Sequence, residues 1–294
     1  MAGPVRMVLD GPYDLSLSLR AAGSFVPGTA APAEVFRAAV ALGAIAGMVE
    51  VRQPSLRPPV LEVSGSPPEA LPRLQVAASR MLFAGLDLRP FYRLVEGHPV
   101  LGAVAGRLFG LKPMRPASLF EMLVIAVIEQ QISLVAAYRI RKRLVERFGK
   151  PVDDLVAFPQ PDTLAEAPPE EIRACGLSGR KTEYVQGLAQ TVVSGALDLG
   201  ALEDLPDDAV RAAITSMRGF GPWSAEYLLV RGMARVDVVP AGDLGVRTVT
   251  GRYLAPGGVR LSPEDVRRAL VPFAPYRGLA AFYLLADARL GAGN

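Results

Sequence analysis

The sequence predicts an α+β fold, with a small α/β domain over residues 1–87 and a mainly helical body over residues 88–294. Short stretches that alternate apolar and polar residues are confined to the first segment, whereas apolar positions recur at helical spacing through the second. Half of the 294 residues are hydrophobic and 21% are charged, a composition that supports a large core and argues against disorder. That length accommodates two domains.

In the first segment, VRMVL (5–9), LSLSL (15–19) and LEVSG (61–65) alternate as strands do. Residues 34–51 mix helix-like and strand-like runs, and residues 67–83 read as a helix after proline punctuation. The break between segments falls near Leu86–Pro90. The long stretch from Ser118 to Gly149 opens with Ser118 and Glu121 as an S-x-x-E capping box and ends in basic residues and a glycine. Its centre is apolar on nearly every face, which predicts a buried central helix, broken near Gln130. Short helices are expected over PDTLAEA, PEEIRACG and RKTEYVQGLAQTVVSG. DDAVRAAITSM, PWSAEYLLVRGMA, SPEDVRRALVPF and YRGLAAFYLLADARLG complete the set. In SPEDVRRALVPF, Ser262 is the cap and Pro263 holds the first helical position.

Several chemistries are excluded by what the chain lacks. One cysteine, Cys175, forbids an internal disulfide and any four-cysteine iron–sulfur or zinc site. One histidine, His98, argues against a His-based triad or metal site. The longest apolar run, Met122 to Ile128, is too short to cross a membrane, and the N-terminus lacks the pattern of a secretory signal. A cytoplasmic location follows as the expectation, with chemistry run by carboxylates, aromatics and backbone groups. The net charge of +3 conceals an asymmetry: residues 88–150 carry 11 basic and 4 acidic side chains, residues 151–210 carry 3 and 12, and residues 211–294 carry 11 and 6. Such a distribution suits a basic face for a polyanion with an acidic back, although ordinary surface charge gives the same counts. Residues 1–87, with 7 of each sign, suggest a structural rather than a polyanion-gripping role.

The stretch MRGFGPWSAEY (217–227) joins two helices through Gly219 and Gly221, with Phe220 as an apolar plug and Pro222 at the first helical position. A turn of this kind exposes backbone N–H groups that a phosphate can approach closely, yet most such turns are merely tight connections. Downstream, RVDVVPAGDLGVRT (235–248) places Asp243 at the end of a Pro–Gly loop and the start of a helix. Asp243 reads either as a helix N-cap or as a carboxylate held ionised by the helix terminus and facing a cleft.

Taken together, the hairpin, the G-x-G-x-W-[ST]-A run and a P-x-[GD]-D run about twenty residues later resemble the helix-hairpin-helix DNA glycosylase superfamily. FEMLVIAVIEQQISLVAAYRI (120–140) is similar to that family's Q-Q-[IV]-S helix, and GPYDLSLSLR (11–20) to the opening of its AlkA type, 3-methyladenine DNA glycosylase II. The resemblance covers essentially the whole chain. Strand-cutting members carry a lysine where this chain has Trp223, and iron–sulfur members end in four cysteines, so the monofunctional alkylation-repair type is implied.

On that basis Asp243 is the expected catalytic residue. Trp223, Tyr227, Gln130 and Tyr276 are expected in the base pocket, with Trp223 as the stacking surface for a cationic alkylated purine. Gln131, Gly219, Phe220, Gly221 and Ser224 are expected to contact DNA, Gln131 by entering the gap left by the flipped base. The bland alternatives are a buried Gln130–Gln131 pair at a helix kink and a core role for Trp223 and Tyr276. No cofactor is required. The resemblance implies a monovalent cation held by the carbonyls of Thr215, Met217 and Phe220. The partner implied is duplex DNA with alkylated bases, bound by a monomer with no membrane association. A glycosylase for deaminated or oxidised bases and a non-catalytic hairpin DNA-binding protein are the alternatives.

Overall fold

The computed structural model describes residues 3–22, 34–43 and 45–291. Strands β1 (Val5–Val8), β2 (Val35–Leu42), β3 (Ile45–Leu56) and β4 (Pro59–Ser66) form an antiparallel sheet in the order β1-β4-β3-β2. Residues 34–51 thus resolve into the β2–β3 hairpin, whose Ala44 lies outside the described residues. Phe36, Ala38, Val40, Val49, Val51, Leu61 and Val63 alternate onto one buried face. They pack with Leu71, Leu74, Ala78 and Met81 of helix α2 (Leu71–Met81).

LSLSL does not form a strand. It belongs to helix α1 (Leu15–Ala22), started by Asp14, whose Oδ1 accepts the Leu17 amide at 2.8 Å. The alternation misleads because this helix is buried on two sides. Leu15 and Leu19, four residues apart, enter the core under the sheet. Leu17 and Ala21, also four apart, enter a second core that belongs to the helical body.

The body comprises α3 (Arg89–Val95), α4 (Leu101–Arg107), α5 (Leu119–Glu129), α6 (Leu134–Phe148), α7 (Pro161–Glu166), α8 (Pro169–Ala174), α9 (Gly179–Val193) and α10 (Leu199–Leu202). It continues with α11 (Asp207–Thr215), α12 (Pro222–Tyr227), a π turn (Leu228–Gly232), α13 (Leu244–Leu254), α14 (Pro263–Leu270) and α15 (Arg277–Gly291). Periodicity missed one feature, a hairpin of β5 (Lys150–Val152) and β6 (Leu155–Ala157). Three-residue strands are too short to show a period. Arg37 of β2 clasps this hairpin through Asp154, at 2.8 and 2.6 Å.

Helix α5 begins at the predicted cap: Ser118 Oγ accepts the Glu121 amide at 3.1 Å, while Glu121 Oε2 accepts the amide of Ala117, one residue before the cap, at 3.2 Å. Every residue from Leu119 to Ile128 is buried. The helix breaks at Gln130, Gln131 takes a left-handed φ of +58°, and Ser133 caps α6. Around α5 gather α6, α9, α11 and α12; around α15 gather α3, α4, α13, α14 and one side of α1. Among the described residues no single helix is long and apolar enough to cross a membrane.

Because α5 is enclosed on every side, Leu123→Ala should leave a cavity that neighbours cannot collapse to fill. A loss of about 3 kcal/mol is expected in urea denaturation, against the 2–5 kcal/mol range of such truncations.

Candidate active site

The hairpin between α11 and α12 is tight. The Phe220 amide donates to the Met217 carbonyl at 3.2 Å, and Phe220 is buried in the α5 core as the apolar plug. Gly219 has φ +94°, and a Cβ there would lie 2.3 Å from the Tyr184 ring, so both conformation and space require glycine. At Gly221 a Cβ would meet nothing within 4 Å, which leaves the outer side of the hairpin open. The Thr215 side chain turns back to the Arg211 carbonyl at 2.7 Å. The backbone carbonyls of Thr215 and Phe220 accept no hydrogen bond among the described residues.

The same hairpin is stitched to the break after α5. Gln130 Nε2 donates to the Gly219 carbonyl at 2.9 Å. Lys181 Nζ donates to the carbonyls of Ile128 and Gln130 at 2.8 and 2.6 Å, closing the C-terminus of α5 with a cation. Partial burial lowers the Lys181 ammonium below its ordinary range.

Asp243 is a helix cap that also faces a cleft. It is the N-cap of α13, with Oδ1 accepting the Val246 amide at 3.0 Å, while Oδ2 lies 3.4 Å from Trp223 Nε1. Its position is set from behind: the Leu279 amide donates to the Val236 carbonyl at 2.8 Å, and a Cβ on Gly278 would lie 2.1 Å from the Val238 carbonyl. Only a glycine lets α15 press that closely on the segment leading to Asp243.

Asp243 opens onto a cleft of about 1050 Å³ between the two helical groups, lined by α5, α6, α12, α13 and α15. Trp223 and Tyr227, four residues apart on one helix face, stack at 4.7 Å with an interplanar angle of 21°. The Tyr227 hydroxyl donates to Glu129 Oε2 at 2.8 Å. Burial pushes the Glu129 carboxyl above the usual carboxylate range, and the Tyr227 hydrogen bond and nearby Arg231 and Arg141 counter it in part. Burial also lowers the Arg141 and Arg231 guanidiniums, with Glu129 among the charges opposing that. Behind the cleft, burial raises Glu121 to about 7, which the charge of Arg141 and the Ala117 amide resist.

The structure therefore brings together Asp243, Trp223, Tyr227 and Gln131 at one cleft. Gln130 does not line it, since its amide is spent on the hairpin backbone. Tyr276 does not line it either; its ring packs edge-on against Phe91, centroids 6.0 Å apart, in the α15 core. Ser224 is 2% exposed, so its side chain faces inward rather than toward a ligand. Sequence reasoning missed Glu129, Arg141 and Arg231 as cleft residues. The only available signal was their position: a charge closing an apolar helix, or recurring one turn beyond Tyr227.

The helices thus form a hairpin-bearing body in which a capped aspartate faces an aromatic-lined cleft. Residues 124–275 match the HhH-GPD superfamily of base excision DNA repair proteins, and the chain belongs to that superfamily. It is 29% identical over 203 residues, 67% of its length, to the DNA-3-methyladenine glycosylase of Bacillus subtilis. That match spans 66% of the relative, just under two thirds. The solved 3-methyladenine DNA glycosylase from Archaeoglobus fulgidus superimposes with a TM-score of 0.86 at 27% identity, over 97% of this chain and 98% of that one. A Schizosaccharomyces pombe 3-methyladenine DNA glycosylase in complex with abasic DNA superimposes with a TM-score of 0.59 at 26% identity, over 68% and 96%.

Gly219→Ala must force a left-handed alanine into the Tyr184 ring; a stability loss of about 1–3 kcal/mol is expected in thermal unfolding. For Glu121 the sign is set by its raised value: the native state holds the proton more tightly than the unfolded chain. Its contribution is therefore greatest at acid pH and is lost as pH rises toward 7. Glu121→Gln should flatten the fall in stability between about pH 4.5 and 7, measured as the difference from wild type in urea midpoints.

Proposed function

We propose that the protein is a monofunctional DNA glycosylase that flips alkylated purines, of the 3-methyladenine and 7-methylguanine class, out of duplex DNA and cleaves them from the sugar. The observation that carries this is the divided carboxylate of Asp243. One oxygen is fixed by the N-terminus of α13, and the other stands in the cleft beside the Trp223 indole. The names of the relatives point the same way.

The chemistry follows from these groups. A base alkylated on a ring nitrogen carries positive charge and leaves as a neutral molecule when the glycosidic electron pair moves onto it, so no strong general acid is needed. The indole face of Trp223 left free by Tyr227 attracts such a cation by about 0.5–2 kcal/mol. As the sugar gains positive charge, Asp243 Oδ2 stabilises it and receives a proton from the attacking water, leaving an abasic site. Among the described residues no lysine lines the cleft, and Trp223 cannot form an imine, so no strand cleavage is assigned.

The hairpin supplies the grip on DNA. Its open outer side presents backbone N–H groups to a phosphate, independent of base sequence. The carbonyls of Thr215 and Phe220, with that of Met217, which already accepts the Phe220 amide, would hold a monovalent cation bridging to that phosphate. Such an ion would neutralise charge at the contact. Gln131, exposed on its left-handed turn and lining the cleft, would enter the gap in the helix. The chain would act as a monomer in the cytoplasm, with residues 1–87 in a supporting role. A glycosylase for oxidised or deaminated bases is the second reading, favoured by Arg141 and Arg231 in the cleft lining, because positive charge there suits an uncharged base better than a cationic one.

Base release from methylated duplex DNA tests the proposal. Wild type should free methylated purines, and Asp243→Asn should slow release by about 10²–10³-fold or more while still binding the duplex. Binding should weaken as salt rises. Release of only uncharged bases from a lesion panel would favour the second reading; binding without any release would leave a non-catalytic DNA-binding protein.

A further inference from the structure

The cleft contains a second carboxylate, Glu129, for which the chemistry above has no use. It closes α5, and its Oε2 accepts the Tyr227 hydroxyl at 2.8 Å. Tyr227 lies flat on Trp223, ring centroids 4.7 Å apart, and the indole Nε1 points at Asp243 Oδ2 across 3.4 Å. These contacts form one line from the end of α5 to the carboxylate at the start of α13. Their strengths differ. The indole contact to Asp243 is long for a hydrogen bond and cannot by itself fix a half-buried ring. The Tyr227–Glu129 bond has the ordinary 2.8 Å length and is partly buried, where such bonds are stronger than in water. Tyr227 is also the last residue of α12, where the backbone loosens into the π turn at Leu228–Gly232, so its ring is not held by a regular helix on both sides.

We infer that Glu129 is a positioning residue: through Tyr227 it holds the plane of the Trp223 indole beside Asp243 Oδ2, which the α13 cap already turns into the cleft. The inference rests on the glycosylase reading for its effect on rate, but not for its effect on the indole. The competing role for Glu129 is to balance the charges of Arg141 and Arg231, which face it from α6 and the π turn. The two roles demand different chemistry. Positioning needs an acceptor oxygen at the end of the side chain; charge balance needs the negative charge. Glu129→Gln keeps the first and removes the second.

Trp223 is the only tryptophan in the chain, so intrinsic fluorescence reads its surroundings directly. Glu129→Ala and Tyr227→Phe, checked for folding by circular dichroism, should each shift Trp223 emission and slow single-turnover base release by roughly tenfold with duplex affinity unchanged. The double variant should be no slower than the slower single one, because both changes cut the same bond. Glu129→Gln should retain wild-type emission and a rate within about twofold of wild type. The inference is overturned if Tyr227→Phe and a folded Glu129→Ala keep wild-type emission, or if Glu129→Gln is as slow as Glu129→Ala with emission unchanged. Wild-type protein that frees no base from any lesion duplex would sink the glycosylase reading alone, since the emission comparison needs no substrate.

Discussion

The cleft depends on one carboxylate serving two masters. Asp243 Oδ1 is committed to the first turn of α13, which fixes the side chain and sets it in the positive end of the helix dipole. Oδ2 is thereby left pointing outward, with the indole Nε1 3.4 Å away. A carboxylate without the cap would rotate freely; a cap without the cleft would be an ordinary helix start. The close approach of Gly278 to the Val238 carbonyl and the stacked pair on α12 both act to keep this arrangement where the two groups of helices meet.

The same meeting place concentrates charge. Glu129, Arg141, Arg231 and Asp243 line one cleft, and Glu121 lies buried behind it against Arg141. Burying such groups costs stability unless counter-charges offset it; burial pushes Glu121 and Glu129 up and Arg141 and Arg231 down, and their opposite charges resist those shifts. The enclosing apolar scaffold, α5 above all, makes that cost bearable and gives the polar groups fixed positions. The break after α5 extends this order outward, because Gln130 and Lys181 bind the broken end to the hairpin and so set the site's two edges relative to each other.

Much of this was legible from residues alone. The helical body, the broken central helix, the cap at Ser118, the inward Phe220 and the cap at Asp243 all rest on local signals that read within a few residues. The failures share a cause. LSLSL alternates because α1 serves two cores at once, and alternation within five residues does not say which sides are buried. The β5–β6 hairpin is too short to show a period. Gln130, Ser224 and Tyr276 sit in motif positions, but their side chains are taken by the hairpin backbone, by burial and by the Phe91 ring. Motif spacing specifies where a backbone goes, not which way a half-buried side chain finds its best contacts.

By itself the sequence determined most of the helical body, the family and the cap at Asp243, because capping, glycine conformation and apolar periodicity act over a few residues and leave local marks. Tertiary structure alone decided that Glu129 meets Tyr227 across 98 residues, that Arg141 and Arg231 share their cleft, and that Gln130 grips the hairpin 89 residues away. Those contacts are set by how helices pack, and packing depends on the summed shape of many side chains, a property no short stretch of sequence carries.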